Sequence, residues 1–318
     1  MMMKLKKSKL FSQYVLLWVL LVLIVVGICS SSVFLSAANL NAMITGRVTV
    51  GIVAVAMTIC MAAGEMDISL GYMLGSCIMV AAYVGSKGAS DGIILLTALL
   101  AGIVYGSLNG LLVVAVRIPS TIVTLGSGMI FYAISMWTNN SKSITGVLSK
   151  TTIALFRSKV LGQLPCVWVM LLLFVLAYWM LEHTPLGRQI YAVGFSERVA
   201  NLAGIQTKFI KFLSFALCGA IVGIAAVLVL GQSGNAYIIT GPSYLMPCLT
   251  VVFLSITTHL VGRYNIVGSF IALFALGVAY NIASLAGAPF WFENIANGVI
   301  LIGVVLMNGK DSRSAHTG

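Results

Sequence analysis

The chain has 318 residues, of which 60% are hydrophobic and only 8% are charged. A soluble domain carries roughly a quarter charged residues, so a water-soluble fold is excluded, because it could not bury this much apolar surface. The net charge of +11 would suit a nucleic-acid-binding protein, yet the 18 Lys and Arg residues are spread singly along the chain. Composition therefore predicts an all-α integral membrane protein with no nucleic-acid partner.

The amino terminus starts with a basic segment, residues 1–10, which precedes an apolar run from Tyr14 to Leu35. This order also occurs in secretory signals, but the run has about the length that spans a bilayer, whereas a signal core is shorter. We therefore expect a first membrane helix that follows a short cytoplasmic tail.

Apolar runs alternate with short polar links as far as Met307, and we interpret residues 1–318 as one transmembrane domain. Several runs are shorter than the roughly 20 residues that a perpendicular helix needs, as expected where helices are broken or border a water-filled cavity. Ten runs are predicted to span the membrane: Tyr14–Leu35, Thr49–Ala63, Ile68–Val84, Ile93–Ala115, Ile118–Trp137, Val167–Leu181, Phe212–Leu230, Tyr244–Leu260, Ile266–Leu285 and Ile295–Met307.

The distribution of cations predicts that both termini lie in the cytoplasm, because positive residues concentrate on that side of a membrane. Ten spans also return the carboxyl tail, residues 308–318, to the cytoplasm. The external cations are then four in the loop Thr138–Cys166, together with Arg47 and Lys87 alone at helix ends. Twelve of the 18 cations become cytoplasmic: Lys4, Lys6, Lys7, Lys9, Arg117, Arg188, Arg198, Lys208, Lys211, Arg263, Lys310 and Arg313.

Small residues recur four apart in several runs and predict faces where helices pack closely. Packing between helices of this chain is favoured over a subunit interface at each face. The faces are Gly71 with Gly75, Gly102 with Gly106 and Gly110, and Gly219 with Gly223.

The segment from Gly64 to Gly71, GEMDISLG, places Glu65 and Asp67 in what would otherwise be one apolar stretch. Acidic groups near membrane depth usually face a cavity, a partner or the aqueous boundary. Two interpretations stay equally open. Either a broken helix lines a solute path, with hydrogen-bonding groups from Asp67 and Ser69, or one of these residues only caps the next helix.

A second interruption runs from Gly231 to Asn235 and continues at Gly241–Ser243, five spans after the first. Paired Gly-rich breaks at an odd spacing are compatible with inverted internal repeats around a central site. An ordinary external loop is an equally good interpretation.

The stretch from His183 to Lys211 is predicted to be a cytoplasmic loop that contains a short helix. Ser196 is a suitable N-cap, Glu197 suits the positive end of the helix dipole, and Gly204 can end the helix. Val199, Leu202 and Ala203 share one face. Such a helix could dock in a groove of another protein or rest on lipid headgroups, and composition alone favours the lipid.

Motifs for chemistry are missing from the sequence. No GxxxxGK[ST] loop occurs, so any ATP hydrolysis belongs to another chain, and no catalytic signature is present. His183, His259 and His316 are scattered, and no CxxC pair occurs, so we expect no metal site, no bound cofactor and no enzymatic activity. The cysteines are expected to pack as inert apolar side chains: Cys29, Cys60, Cys77, Cys166, Cys218 and Cys248.

Three segments together resemble the permease subunits of bacterial ribose-type ABC importers, a family that includes xylose, galactose and autoinducer-2 permeases. They are GEMDISLG, the stretch RIPSTIVTLG from Arg117 to Gly126, and TPLGRQIYAVGFSERVANLAGI in the cytoplasmic loop. The resemblance extends over nearly the whole chain in the same order. It implies a multi-pass protein of the bacterial inner membrane.

The resemblance also implies partners and roles. Two permeases, either two copies or two homologous chains, sit in the lipid bilayer on two ATPase subunits, and a periplasmic binding protein delivers the solute. The family's coupling helix, which docks on the ATPase, corresponds to Gly194–Gly204. Residues implied in coupling are Gly187, Arg188, Gly194, Ser196, Glu197, Arg198, Val199, Leu202 and Gly204, and candidates for the solute path are Asp67, Ser69, Asn109 and Thr124.

Two departures from the family pattern bear on the substrate. Glu65, Met66 and Ile68 differ from the family's GxDLSxG wording, and Val251–Gly262 lacks the glycines of its VVLGGTSLxGG stretch. The expected solute is a small polar molecule, first a pentose-like sugar and second autoinducer-2. The alternatives are a secondary transporter that binds a proton or cation at Glu65 or Asp67, and a membrane scaffold without transport.

Overall fold

The structure is a computed structural model that describes residues 14–237 and 239–314, with side chains described as far as Leu306. The predicted basic tail, residues 1–10, lies outside the described residues. The side chains of the predicted carboxyl tail, 308–318, lie outside them as well.

The described residues form α-helices, and their β-structure is limited to two isolated bridges, Ile144 with Ala236 and Val160 with Gln163. A short 3-10 turn, Pro242–Tyr244, precedes α11. The helices are α1 Val15–Ser30, α2 Ala37–Ala62, α3 Leu70–Ser86, α4 Asp91–Val116, α5 Ser120–Trp137, α6 Lys150–Arg157, α7 Pro165–His183, α8 Pro185–Phe195, α9 Glu197–Leu202, α10 Thr207–Ser233, α11 Leu245–Ser255, α12 Ile266–Leu285 and α13 Phe292–Ser314.

Among the described residues, 6 helices are long and apolar enough to cross a membrane: α2, α4, α5, α7, α10 and α12. Four shorter apolar segments accompany them, at α1, α3, α11 and the first part of α13. Each predicted run overlaps one of these helices, which confirms the all-helical fold class. The number of membrane crossings and the side of each terminus stay predictions.

One predicted boundary is wrong, and the error has a physical cause. Helix α2 begins at Ala37 rather than at Thr49, because polar side chains in its first half find partners. Arg47, predicted to stand alone at a helix end, forms an ion pair with Glu293, and its guanidinium lies 4.9 Å from the Tyr280 ring centroid. Asn39 exchanges two hydrogen bonds of 2.9 Å with Asn281.

The stretch predicted as a cytoplasmic loop, 183–211, is mostly helical. Pro185 is the first residue of α8, and the Thr184 side chain caps this helix by accepting from the Gly187 N–H. Proline is common at the first position of a helix, because it has no N–H that needs a partner and its φ already suits a helix. The predicted external loop likewise contains a helix, α6, whose first turn is capped by Ser149.

The chain divides into two compact units, one of residues 1–54 and 246–318 and the other of Val55–Leu245. Within the first unit, α1 packs along α12. The stretch Val251–Gly262 covers the second half of α11 and the turn that follows it, and in this turn His259 adopts a φ of 66°. A histidine tolerates this left-handed region better than most side chains. The interpretation of the whole chain as one domain stays a prediction.

Within the second unit, α4 and α10 form the most extensive helix pair. The predicted faces of small residues on these two helices contact each other. A Cβ added to Gly219 would lie 2.2 Å from the Gly102 carbonyl oxygen, and one added to Gly106 would lie 2.4 Å from the Phe215 oxygen. The prediction of internal close packing is therefore confirmed for these two helices. Gly71 and Gly75 also pack internally, against Gly241.

Candidate functional site

The link between α2 and α3, residues 63–69, leaves the helical hydrogen-bond pattern, and side chains of α5 provide partners for its backbone. The Met66 N–H donates to Ser120 Oγ at 3.1 Å, and the Ile68 N–H donates to Thr124 Oγ1 at 3.1 Å. Thr124 also donates to the Met66 carbonyl at 3.3 Å. Because buried backbone groups need partners, these two hydroxyls hold the broken segment in place. The predicted interruption between the two apolar runs is confirmed, and both of its interpretations stay open.

A buried polar network joins this link to α4. Asp67 Oδ1 accepts from the Ser69 N–H at 2.8 Å and from Ser69 Oγ at 2.6 Å, while Asn109 Nδ2 donates to Ser69 Oγ at 2.8 Å. All three residues are fully buried. Burial raises the pKa of Asp67, which lies in the link between two helices, to about 6, and the hydrogen bonds from Ser69 oppose this rise.

Ser69 occupies the N-cap position of α3, but its side chain makes no capping hydrogen bond. The Asp67 carboxylate instead accepts the Ser69 N–H, as in an Asx turn. Two acceptors of the network, Asp67 Oδ2 and Asn109 Oδ1, are buried and have no hydrogen-bond partner. The structure thus brings Asp67, Ser69 and Asn109 together, with Thr124 beside the same link. Their contact with a solute stays a prediction.

A charge node, formed by Lys211, Glu65 and Glu197, connects the link to the short helix α9. Lys211 Nζ lies 2.6 Å from Glu65 Oε1 and 2.6 Å from Glu197 Oε2. Lys211 stands on the first turns of α10, Glu65 in the link, and Glu197 at the first position of α9. One ammonium group therefore ties three separate segments together at one point.

A second contact joins the same regions through backbone atoms. Gly194, near the end of α8, lies so close to the end of α2 that an added Cβ would be 2.1 Å from the Ala62 carbonyl oxygen. Only a glycine allows this approach. Gly64 faces Gly194 from the link and adopts a φ of 79°. The α8–α9 segment is therefore in direct backbone contact with the end of α2.

The predicted short helix is present, with the predicted ends. The Ser196 side chain accepts from the Val199 N–H, and Gly204 adopts a φ of 83° just beyond the helix. Val199 is 61% exposed and Leu202 is 82% exposed. Ala200 instead faces inward and is buried. Helix α9 therefore presents an apolar face that the described part of the chain leaves uncovered.

The other predicted coupling residues lie around this helix. Gly187 is buried, and its N–H donates to Thr184 Oγ1 at 3.2 Å, so it belongs to the cap of α8. Arg188 and Arg198 are exposed. A cavity of about 430 Å³ adjoins the charge node, with Arg117, Lys208 and Ser120 in its wall beside the three charged groups.

Sequence reasoning missed Lys211 as a site residue, although the signal was available. A lysine within the first turns of a long apolar helix is costly unless it faces a partner or water. Two acidic residues, Glu65 and Glu197, lay in the two segments already singled out. An apolar chain has few ionisable residues, so the sequence could have suggested that Lys211 pairs with Glu65 and Glu197.

Long apolar helices, a link that interrupts two of them and an uncovered short helix that is tied to this link are features of a multi-pass membrane protein. The particular family follows from comparison. Residues 39–307 match the family described as the permease component of the branched-chain amino acid transport system. This match covers most of the chain, so the chain belongs to that family.

Two curated relatives narrow the likeness to the ribose type. The chain is 29% identical to the Ribose import permease protein RbsC of Escherichia coli strain K12 over 294 residues, which is 92% of each chain. It is 26% identical to the Autoinducer 2 import system permease protein LsrC of Salmonella typhimurium strain LT2 over 282 residues, 88% of this chain and 80% of the relative. The resemblance to ribose-type importer permeases is therefore confirmed. No solved structure matches the chain.

Proposed function

We propose that this chain is the membrane permease subunit of an ABC importer that moves a small polar solute, a ribose-like sugar first and autoinducer-2 second, into the cell. A separate subunit hydrolyses the ATP, and this chain needs no cofactor for transport. Support comes from the family and from the two relatives, which are named as import permeases for ribose and for autoinducer 2.

The observation that carries the proposal is the charge node. A permease without an ATPase motif must receive force from a partner through its surface. Helix α9 offers the partner an exposed apolar face with Val199 and Leu202, and Lys211 ties the first residue of that helix to the link. The surface that would receive the force is thus joined directly to a broken membrane helix.

The link passes this movement on, because it has contacts on two further helices. Ser120 and Thr124 bind its backbone from α5, and Asn109 reaches it from α4 through Ser69. Displacement of α9 therefore rearranges hydrogen bonds at the place where the solute path is proposed. Since Asp67, Ser69, Asn109 and Thr124 are buried, we propose that they meet the solute only when this packing opens.

The remainder of the assembly completes the proposal. The chain crosses the bacterial inner membrane ten times, with both termini in the cytoplasm, and it is surrounded by lipid. It pairs with a second copy of itself or with a homologous permease. Two ATPase subunits dock from the cytoplasm, and a periplasmic binding protein delivers the solute.

Uptake measurements distinguish this function from a proton-coupled or cation-coupled transporter. Cells without their own ribose uptake would express the chain together with its ATPase and binding protein, and labelled ribose and autoinducer-2 would be supplied. We expect ATP depletion to stop uptake, and an ionophore to leave uptake intact while ATP is maintained. Uptake that persists without ATP and is lost with the ionophore would contradict the proposal.

A matched pair of variants tests the role of α9 in the same assay. Val199→Asp places a charge on the face that is proposed to dock, and we expect uptake to be lost. Leu155→Asp places the same charge at an exposed apolar position of α6, which is 68% exposed, and we expect uptake to be retained. Equal uptake by both variants would count against docking through α9. If the chain is a scaffold without transport, the wild-type chain should show no uptake either.

A further inference from the structure

Two cysteines and an aspartate that are far apart in the sequence meet in the core of the second unit. Cys60 lies near the end of α2, Asp67 in the link, and Cys218 on α10. The two Sγ atoms and a carboxylate oxygen of Asp67 all lie within 4.8 Å of one another. All three residues are fully buried.

An independent observation shows that one oxygen of Asp67 lacks a hydrogen-bond partner. Asp67 Oδ1 is engaged by Ser69 through two hydrogen bonds, whereas Oδ2 is buried and accepts none. A buried carboxylate oxygen without a partner is costly, because it has lost its contacts with water and gained nothing in return. A cation held among the three side chains would give the Asp67 carboxylate a further partner.

We propose that Cys60, Asp67 and Cys218 bind a thiophilic divalent cation, with Zn²⁺ as the natural ion. Two thiolates with one carboxylate form a ligand set that suits zinc, whereas Mg²⁺ and Ca²⁺ prefer oxygen ligands alone. Zinc requires bonds of about 2.3 Å to sulfur and about 2.0–2.2 Å to oxygen. The three side chains need only a small inward movement to reach these distances.

Binding is a simple exchange of protons for the cation. Each thiol loses its proton to solvent and its sulfur donates an electron pair to the ion, so no oxidant or reductant takes part. The charge of the deprotonated group is −3, and a divalent cation reduces this to −1. Three protein ligands leave one position of a tetrahedral zinc open to a further oxygen ligand.

The site would have a mechanical consequence, and this consequence alone depends on the proposed function. The three ligands belong to α2, to the link and to α10. A bound ion would therefore fix the link against two helices, although import requires the link to move. We expect Zn²⁺ to slow uptake, and we expect variants that lack a cysteine of the site to escape this inhibition.

Metal binding can be measured without transport. The purified full-length chain, in detergent and kept reduced with a phosphine, is incubated with Zn²⁺, passed through a desalting column and analysed for metal by mass spectrometry. A parallel sample with Cd²⁺ reports thiolate ligation through its ultraviolet charge-transfer absorption. The variants are Cys60→Ser, Cys218→Ser and Asp67→Asn. The control is Cys77→Ser, which changes another buried cysteine of the same unit outside the group.

We expect one retained ion per wild-type chain and per Cys77→Ser chain, and an affinity at least about tenfold lower in the three site variants. Losing even a hydrogen-bond partner that orients a ligand commonly costs that much. The ultraviolet absorption of the wild-type sample with Cd²⁺ provides a measurement that no folding defect of a variant can affect, because thiolate ligation appears there without any substitution. Absence of a retained ion in the wild type, or retention by Cys60→Ser and Cys218→Ser equal to that of the wild type, would overturn the site and would leave the transport proposal untouched.

Discussion

Replacing Lys211 with methionine tests the charge node directly, because methionine keeps the side chain's length and removes its charge. Lys211 forms 2.6 Å ion pairs with both Glu65 and Glu197. The two pairs differ in their surroundings. The side chain of Glu65 is only 9% exposed, whereas that of Glu197 is 51% exposed. The loss of stability should therefore come mainly from breaking the pair with Glu65.

The magnitude follows from this difference in burial. Removing one partner of a buried ion pair costs about 3–5 kcal/mol, because the remaining charge has no counter-ion. The half-exposed Glu197 is screened by water and adds no more than about 1 kcal/mol. We expect a loss of about 3 kcal/mol in the free energy of unfolding. The apparent unfolding midpoint should fall by roughly 6 °C or more.

Thermal unfolding of the purified chain in detergent measures this effect, and labelled-sugar uptake measures its functional consequence. Lys208→Met is the matched control, because Lys208 is exposed on the same helix, and we expect a change within about 0.5 kcal/mol. The double variant Lys211→Met with Glu65→Gln removes the stranded charge and should recover most of the stability. An unfolding midpoint for Lys211→Met equal to that of the wild type, or no recovery in the double variant, would refute the node.

Three further changes test contacts of the link and the packing between α4 and α10. Thr124→Val removes the hydroxyl that accepts from the Ile68 N–H, and we expect a loss of about 1–3 kcal/mol in thermal unfolding. Thr121→Val, one turn earlier on α5, is its control. Gly219→Ala forces a Cβ against the Gly102 oxygen and should cost at least about 1–3 kcal/mol; Gly126→Ala, where the space is open, should be neutral. Gly194→Ala should both destabilise the chain and abolish uptake, and an active, stable Gly194→Ala chain would refute the contact with α2.

Much of the fold follows from the sequence, because hydropathy and local capping are local signals. Apolar runs gave the helices, and Ser196 with Gly204 gave both ends of α9. The early start of α2 could not be found in this way. It depends on Glu293 and Asn281, which lie more than 200 residues away and provide partners for polar side chains that would otherwise end the apolar run.

The sequence was sufficient to predict the separate segments of the site, but not the contacts between them. The sequence singled out the link and the short helix separately, and it suggested a choice between a solute path and a cap for Asp67. Only the fold brings Lys211 between Glu65 and Glu197. The group of Cys60, Asp67 and Cys218 was also invisible, because metal motifs are recognised by close spacing along the chain, and here α10 supplies the third ligand.

The central claim is that α9 receives force from a separate ATPase, and a photo-reactive residue at position Val199 tests it most directly. In membranes that contain the assembled importer, illumination should join this residue to the ATPase subunit, whereas the same residue at position Leu155 on α6 should give no such product. A transporting assembly in which position Val199 never crosslinks to the ATPase would contradict the account.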